Sequence, residues 1–397
     1  MKKRLILLSL LLIIFLPCLE AQKKEISQAR TYIKSGKGFD KAEQLMQNLL
    51  KDSVHRKNEK IHLIYIESIR KQYEAVNENM YLKKTVDTAA FFNLVRRFFL
   101  ANERLDSLDA APDDNGRVKT KYRVRNSAYL NTIRQNLFNG GAYFIRKQKY
   151  ADAYNMMDTY LDCSRQPLFA SYNYPENPEA AYWALFSGYK LSKPALALKY
   201  ADLAKRDTSH LEYTLQYLSE TYKSLNDTAA YVATLKEGIE RYLDYPYFFT
   251  YLVDYYNGKE MLDSALAVVE KGLAHDPERE LYLFAKNNLL LNLGQYEECV
   301  KISDKLIAMN ENLPEAYYNA GVAYINMAFV LEKEKKNTRK QREAIIEKYR
   351  QAKPYMEKYR QLAPDKKDRW AAALYNVYYN LNMGKEFEEI DKLLRKG

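Results

Sequence analysis

Four histidines, three cysteines and an unusual 36 tyrosines are the side chains from which chemistry could be built in this 397-residue chain. His55 and His62 are the only histidines near one another; His210 and His275 stand alone. On a helix that spacing is two turns, roughly 10 Å, too long for both rings to hold one zinc ion. Neither lies in an HExxH pair, and the sequence has no glycine-rich phosphate loop and no GxSxG nucleophile elbow. The two histidines are therefore expected at the surface or partly packed. Cys163 and Cys299 lie far apart and are expected as unpaired thiols, with Cys299 buried rather than nucleophilic. The expectation is no catalytic residue, no metal site and no cofactor. Tyrosine is different, because its ring buries area with little rotamer loss and its hydroxyl still pairs with polar groups. That chemistry is binding, or packing.

The elements that must carry these rings are helices. Only 13 glycines and 11 prolines punctuate the chain, too few for the turns of a sheet-rich or α/β fold. Self-similarity is strong. Pro178, Glu212, Pro246, Glu280 and Pro314 begin segments spaced by 34 residues. Their fourth positions are Ala181, Leu215, Phe249, Leu283 and Tyr317; their eleventh are Gly188, Tyr222, Tyr256, Leu290 and Tyr324. Small or apolar residues recur at the twentieth (Ala197, Tyr231, Ala265, Cys299 and, after an insertion, Ala352) and twenty-seventh (Ala204, Gly238, Gly272, Leu306, Tyr359). In PEAYYNAGVAYINMA, Gly321 sits mid-helix at a cost of about 1 kcal/mol relative to alanine, which implies a neighbouring helix at close range.

This pattern resembles the tetratricopeptide repeat (TPR), a 34-residue helix-turn-helix with small residues at its eighth, twentieth and twenty-seventh positions. Leu137, Gly141, Phe144, Tyr150, Ala153 and Met157 fit a further unit, and Phe39, Ala42, Met46 and Leu49 fit the second helix of another. The resemblance implies an all-α, right-handed α-solenoid with one elongated helical hairpin near the C-terminus. It also implies a concave groove lined by the second, fifth, ninth, twelfth and thirteenth positions. In the first two regular units these include Tyr182, Phe186, Tyr189 and Tyr213. In the next three they include Tyr247, Asn257, Phe284, Asn288, Asn292, Tyr318 and Asn326. An aromatic and amide-rich groove suits a peptide or protein segment. The TPR carboxylate clamp is not matched: Asn288 and Asn319 supply its amides, but Phe284 replaces its lysine, and Asp368 and Ala372 stand where basic residues belong.

The domain reading is a signal peptide over 1–21, a TPR-like hairpin over 22–57, a long helical pair and linker over 58–116, and a unit with an aromatic loop over 117–177. A regular array follows over 178–313, an extended unit with a basic hairpin over 314–366, and capping helices over 367–397. Lys286 and Asn287 depart from the repeat's apolar and small pair, predicting looser packing in that unit. RVKTKYRVR, from Arg117, reads as a basic helical start. Between Met327 and Ala352 the chain carries 19 extra residues, predicting two helices longer by two to three turns that reverse near Asn337 and Thr338.

The start, with Lys2, Lys3 and Arg4 before an apolar run from Leu5 to Leu16, reads as a secretory signal cleaved near Ala21/Gln22. The expected location is periplasm or cell envelope. Cys18 offers lipid attachment, although Pro17 departs from the lipobox. From Glu332 to Arg369, 14 Lys and Arg face 7 Asp and Glu, a segment that is either salt-laced or docks on an acidic protein, lipid headgroups or an anionic envelope polymer. Export disfavours nucleic acid as a partner. The functional expectation is a non-catalytic scaffold that binds other envelope proteins in its groove. The alternative is a lipoprotein subunit of an outer-membrane assembly or secretion complex.

Overall fold

The computed structural model describes residues 22–334 and 338–395. The expected signal segment, Cys18 and Ala21 included, and the reversal at Asn337 lie outside the described residues. Among the described residues there are twenty α-helices, one short 3-10 turn and no strand. The chain divides into two compact units, residues 1–231 and 232–397, at a point inside α12 (Thr228–Arg241).

The first unit opens with α1 (residues 22–35), α2 (Phe39–Lys51), α3 (Glu59–Tyr81) and α4 (Thr88–Asp109). Asn58 and Asp87 cap α3 and α4 by accepting from the amides of Lys60 and Ala90. Phe91, Val95, Phe98 and Phe99 form the buried face of α4 that their spacing predicts. Next come α5 (Arg123–Ile133), α6 (Gln135–Arg146), α7 (Tyr150–Asp162), α8 (Pro178–Lys190), α9 (Pro194–Leu198), α10 (Ala201–Ala204) and α11 (Leu211–Ser224). Helix α8 packs on α7, α9, α10 and α11, so each hairpin's first helix meets both its own second helix and the next hairpin. The loop before α8 is pinned by Arg134, whose guanidinium lies between the rings of Tyr160 and Tyr174 at 3.8 and 3.9 Å.

Two expectations are corrected here. RVKTKYRVR is not helical from Arg117; α5 starts at Arg123. The Asp113 carboxylate holds the preceding turn by accepting from the amides of Asn115 and Arg117, and the chain stays non-helical until Asp109 takes the Tyr122 amide and Asp106 takes Arg123 in a two-pronged pair. His55 and His62 are both buried rather than surface residues. His62 Nε2 lies 2.9 Å from the Arg56 carbonyl. Burial outweighs that bond and lowers the ring's pKa below the ordinary histidine value.

The second unit contains α13 (Pro246–Gly258), α14 (Leu262–His275), α15 (Glu280–Asn292), α16 (Tyr296–Met309), α17 (Pro314–Lys333), α18 (Arg339–Leu362), α19 (Lys367–Asn380) and α20 (Gly384–Arg395). Successive helices pack pairwise, and α17 also touches α15 and α19, the other first helices of their hairpins. Helices α17 and α18 have 20 and 24 residues against 13 or 14 in α13 to α16, so the extra residues do extend one hairpin by two to three turns. Thr338 caps α18 through the Gln341 amide.

Packing inside a hairpin follows one rule that side-chain volumes explain. The eighth residue of the repeat faces the twenty-fourth, and the two share a fixed space. A Cβ on Gly141 would stand 2.5 Å from Met157, and one on Gly321 would run into the Met356 sulfur. Bulk on the second helix is accommodated by absence on the first. At the same pair of positions Asn287 donates to Ser303 Oγ at 2.8 Å and to the Cys299 carbonyl at 2.8 Å. The looser packing expected around Asn287 is therefore overturned: the amide is fully buried because its hydrogen-bond donors are met, while Lys286 turns outward to Glu270 at 2.7 Å. Between hairpins, Gly272 at the twenty-seventh position admits the ring of Tyr282, third residue of the following repeat.

Candidate functional site

In the first unit the structure joins the groove residues into one aromatic shelf. Tyr182 projects from α8 and stacks on His210 at 4.3 Å, while Phe186, one turn further, meets the edge of Tyr150 at 5.8 Å and Tyr217 at 5.4 Å. Tyr189 stacks on Tyr217 at 4.7 Å. This arrangement follows from helical period: residues 182, 186 and 189 fall on one stripe of α8, and Tyr213 and Tyr217 on one stripe of α11. Exposure divides their roles. Tyr182 is only 4% exposed and fills the space between helices, so it supports the surface rather than presenting one. Burial, with Tyr217 nearby, pushes its hydroxyl pKa up. Phe186 and Tyr189 are half-buried, and Tyr213 is 45% exposed.

Polar groups border the shelf. Glu220 accepts from the Tyr189 hydroxyl and, at 3.2 Å, from the Gln216 amide. Lys190 lies over the rings of Phe186 and Tyr189 at 5.5 and 5.6 Å. A hollow of about 340 Å³ opens beside Tyr189 and Glu220, walled by Ser192, Thr221 and Ser224. Flat rings beside a carboxylate and three hydroxyls can bury an apolar side chain and hydrogen-bond the backbone next to it.

In the second unit the expected residues form separate groups. Tyr247 packs with Tyr251 at 4.5 Å on α13, and Asn257 is exposed at the end of that helix. Phe284 is half-buried against the cluster of Leu283, Leu306 and Ala316. Asn288 is tied to Asn319, whose amide donates to both Asn287 and Asn288 at 2.6 Å. The Asn319 amide is thus spent on its two neighbours. Tyr318 lies under the Arg369 guanidinium at 3.8 Å and beside Tyr359 at 5.0 Å. Asn292 is exposed and Asn326 half-buried.

Sequence reasoning passed over Trp183, Tyr217 and His210, which complete the shelf. Trp183 packs on Tyr182 at 4.8 Å and on His210 at 5.7 Å. A signal existed: Trp183 and Tyr217 are both sixth positions of consecutive repeats, one period apart. Among the described residues there is no group of three or more His, Cys, Asp or Glu that could hold a metal ion. Cys163 and Cys299 are buried free thiols, and burial pushes their pKa values up to about 12 and about 11, unsuited to nucleophilic attack.

No protein-family model and no curated protein matches the sequence. Solved structures resemble it at low identity. The C-terminal part of a TPR repeat-containing protein from Cytophaga hutchinsonii aligns at 14% identity and a TM-score of 0.45, over 64% of this chain and 93% of its own. MamA from Desulfovibrio magneticus aligns at 18% identity and a TM-score of 0.35, over 47% and 96%. Human IFIT1 aligns at 12% identity and a TM-score of 0.37, over 82% and 72%. Hairpins that stack in 34-residue register, with the eighth residue set against the twenty-fourth, give this chain the fold of a tetratricopeptide-repeat protein.

Proposed function

We propose that the chain is a non-catalytic protein-interaction scaffold of the bacterial cell envelope, and that the shelf on α8 and α11 receives a peptide or protein segment. The observation that carries this reading is the exposed edge of the aromatic shelf, where Phe186 and Tyr189 pack on Tyr217 and Tyr213 is exposed on the same stripe of α11, beside the Glu220 hollow. Rings already fixed by packing lose little further freedom on binding, so an apolar side chain laid on them gains buried area cheaply. Glu220 favours a segment that brings a lysine, arginine or free amide. The envelope setting is supported by the basic start and apolar run of residues 2–16.

Crosslinking in intact cells followed by mass spectrometry tests both parts. Tyr213→Ala and Phe186→Ala should each lose a partner that the unaltered chain captures while remaining folded by circular dichroism, Phe186→Ala melting lower because its ring packs on Tyr150 and Tyr217. A partner retained equally by both variants would rule out this surface. Intact mass of the exported chain would show whether it begins near Gln22 or at a lipidated Cys18.

A further inference from the structure

A cavity of about 590 Å³ lies in the first unit, among α3, α4 and α5 and away from the aromatic shelf. Three helix faces converge on it. Leu63, Ile66 and Arg70 come from α3, Phe98 and Asn102 from α4, and Tyr122, Arg125 and Tyr129 from the start of α5. Its floor is apolar, with Phe98 and Tyr129 packed edge-on at 5.6 Å. The α3 wall from Leu63 to Arg70 is roughly 10 Å long, enough for one ring and a short chain but not for a run of extended peptide. The volume falls within the range of small-molecule sites.

The charged groups set the class of ligand. Two guanidiniums, Arg70 and Arg125, and one carboxylate, Glu67, line the cavity. Arg70 is paired with two carboxylates of its own helix. Glu67 and Glu74 lie 3.8 and 3.5 Å away, Glu74 is already hydrogen-bonded to Lys71 at 2.8 Å, and the buried Arg70 Nε has no hydrogen-bond partner. Arg125 faces the Tyr122 ring at 5.9 Å and has no ion pair among the described residues. Arg70 is thus offset by the two carboxylates it pairs with, and Arg125 is the lining cation that no carboxylate meets among the described residues.

We propose that this cavity binds a small monoanion, a carboxylate carried on an apolar or aromatic body, with the carboxylate on Arg125 and the body against Ile66 and Phe98. A carboxylate meets a guanidinium through two parallel hydrogen bonds, which point charges do not reproduce. It would give Arg125 the carboxylate partner that it lacks.

Ligand-observed NMR titrations of the full chain test this with phenylacetate, indoleacetate and hexanoate. Each acid is compared with its neutral amide, and phenylethylammonium serves as a cation control. At least one acid should bind about tenfold more tightly than its amide, and Arg125→Ala should remove that advantage without moving the melting temperature. Arg125 is exposed and unpaired, so its loss leaves the fold intact. Tyr213→Ala should leave acid binding unchanged, which separates this site from the aromatic shelf. Equal binding of acid and amide, preference for the ammonium, persistence of acid binding in Arg125→Ala, or no response to any of the three acids would each overturn the proposal.

Discussion

Glu103, on α4, is a carboxyl that the fold holds at a disadvantage. Burial pushes its pKa from 4.5 up to about 7, Asp162 adds to the effect and Arg96 opposes it, while one of its oxygens is buried without a hydrogen-bond partner. The folded chain keeps a proton that the unfolded chain releases, so this group's effect on stability is neutral below the unfolded pKa and grows unfavourable as pH rises towards 7. The upper limit is about 3 kcal/mol. Urea titrations at about pH 5 and about pH 8 should show stability falling with pH. In Glu103→Gln most of that slope should disappear; an unchanged slope would place its origin elsewhere. The Asn287 and Asn319 pair makes a second residue-scale test. Asn319→Ala should cost about 1–3 kcal/mol, because it strands the Asn287 carbonyl oxygen in a buried site. His62 and Asn287 also mark what the sequence does not reveal at this scale. Periodicity says which face a residue occupies, but whether a buried polar group finds a partner depends on Arg56 or Ser303 arriving from elsewhere in the chain.

At the scale of elements, the interval of 34 residues was enough to place the regular helices, since it fixes both period and the positions where bulk is excluded. The long α17 and α18 were legible from an insertion rich in strong helix formers. The start of α5 was not, because Asp106, Asp109 and Asp113 delay it through contacts that a local reading of RVKTKYRVR does not contain. The trade of volume between eighth and twenty-fourth positions gives a direct test. Gly321→Leu should lower stability by at least about 1 kcal/mol through overpacking. Adding Met356→Ala should recover part of that loss, with a coupling of about 0.5 kcal/mol or more in a double-mutant cycle. Strict additivity would mean that the two side chains do not share the space. Of the rings gathered on α8 and α11, the groove positions named Tyr182, Phe186, Tyr189 and Tyr213 but not Trp183 or Tyr217, and Tyr182 proved internal because His210 and Trp183 close over it.

For the whole molecule, stability in a repeat array is a sum over hairpins and the contacts between neighbours. A lesion such as Gly321→Leu should therefore speed amide hydrogen exchange in α17 and α18 while leaving α3 and α4 protected. The distribution of sulfur makes this easy to follow. Cys163 lies in the first unit and Cys299 in the second, each buried and unbonded. In the native chain both should resist alkylating reagents, being sequestered and, with pKa values pushed up by burial, protonated near neutral pH. Once a unit opens, its own cysteine becomes modifiable, and the two labelled peptides are told apart by mass. The protein thus carries an intrinsic pair of chemical reporters, one for each half, and pulsed alkylation across a denaturant series would reveal whether the halves melt together or in sequence.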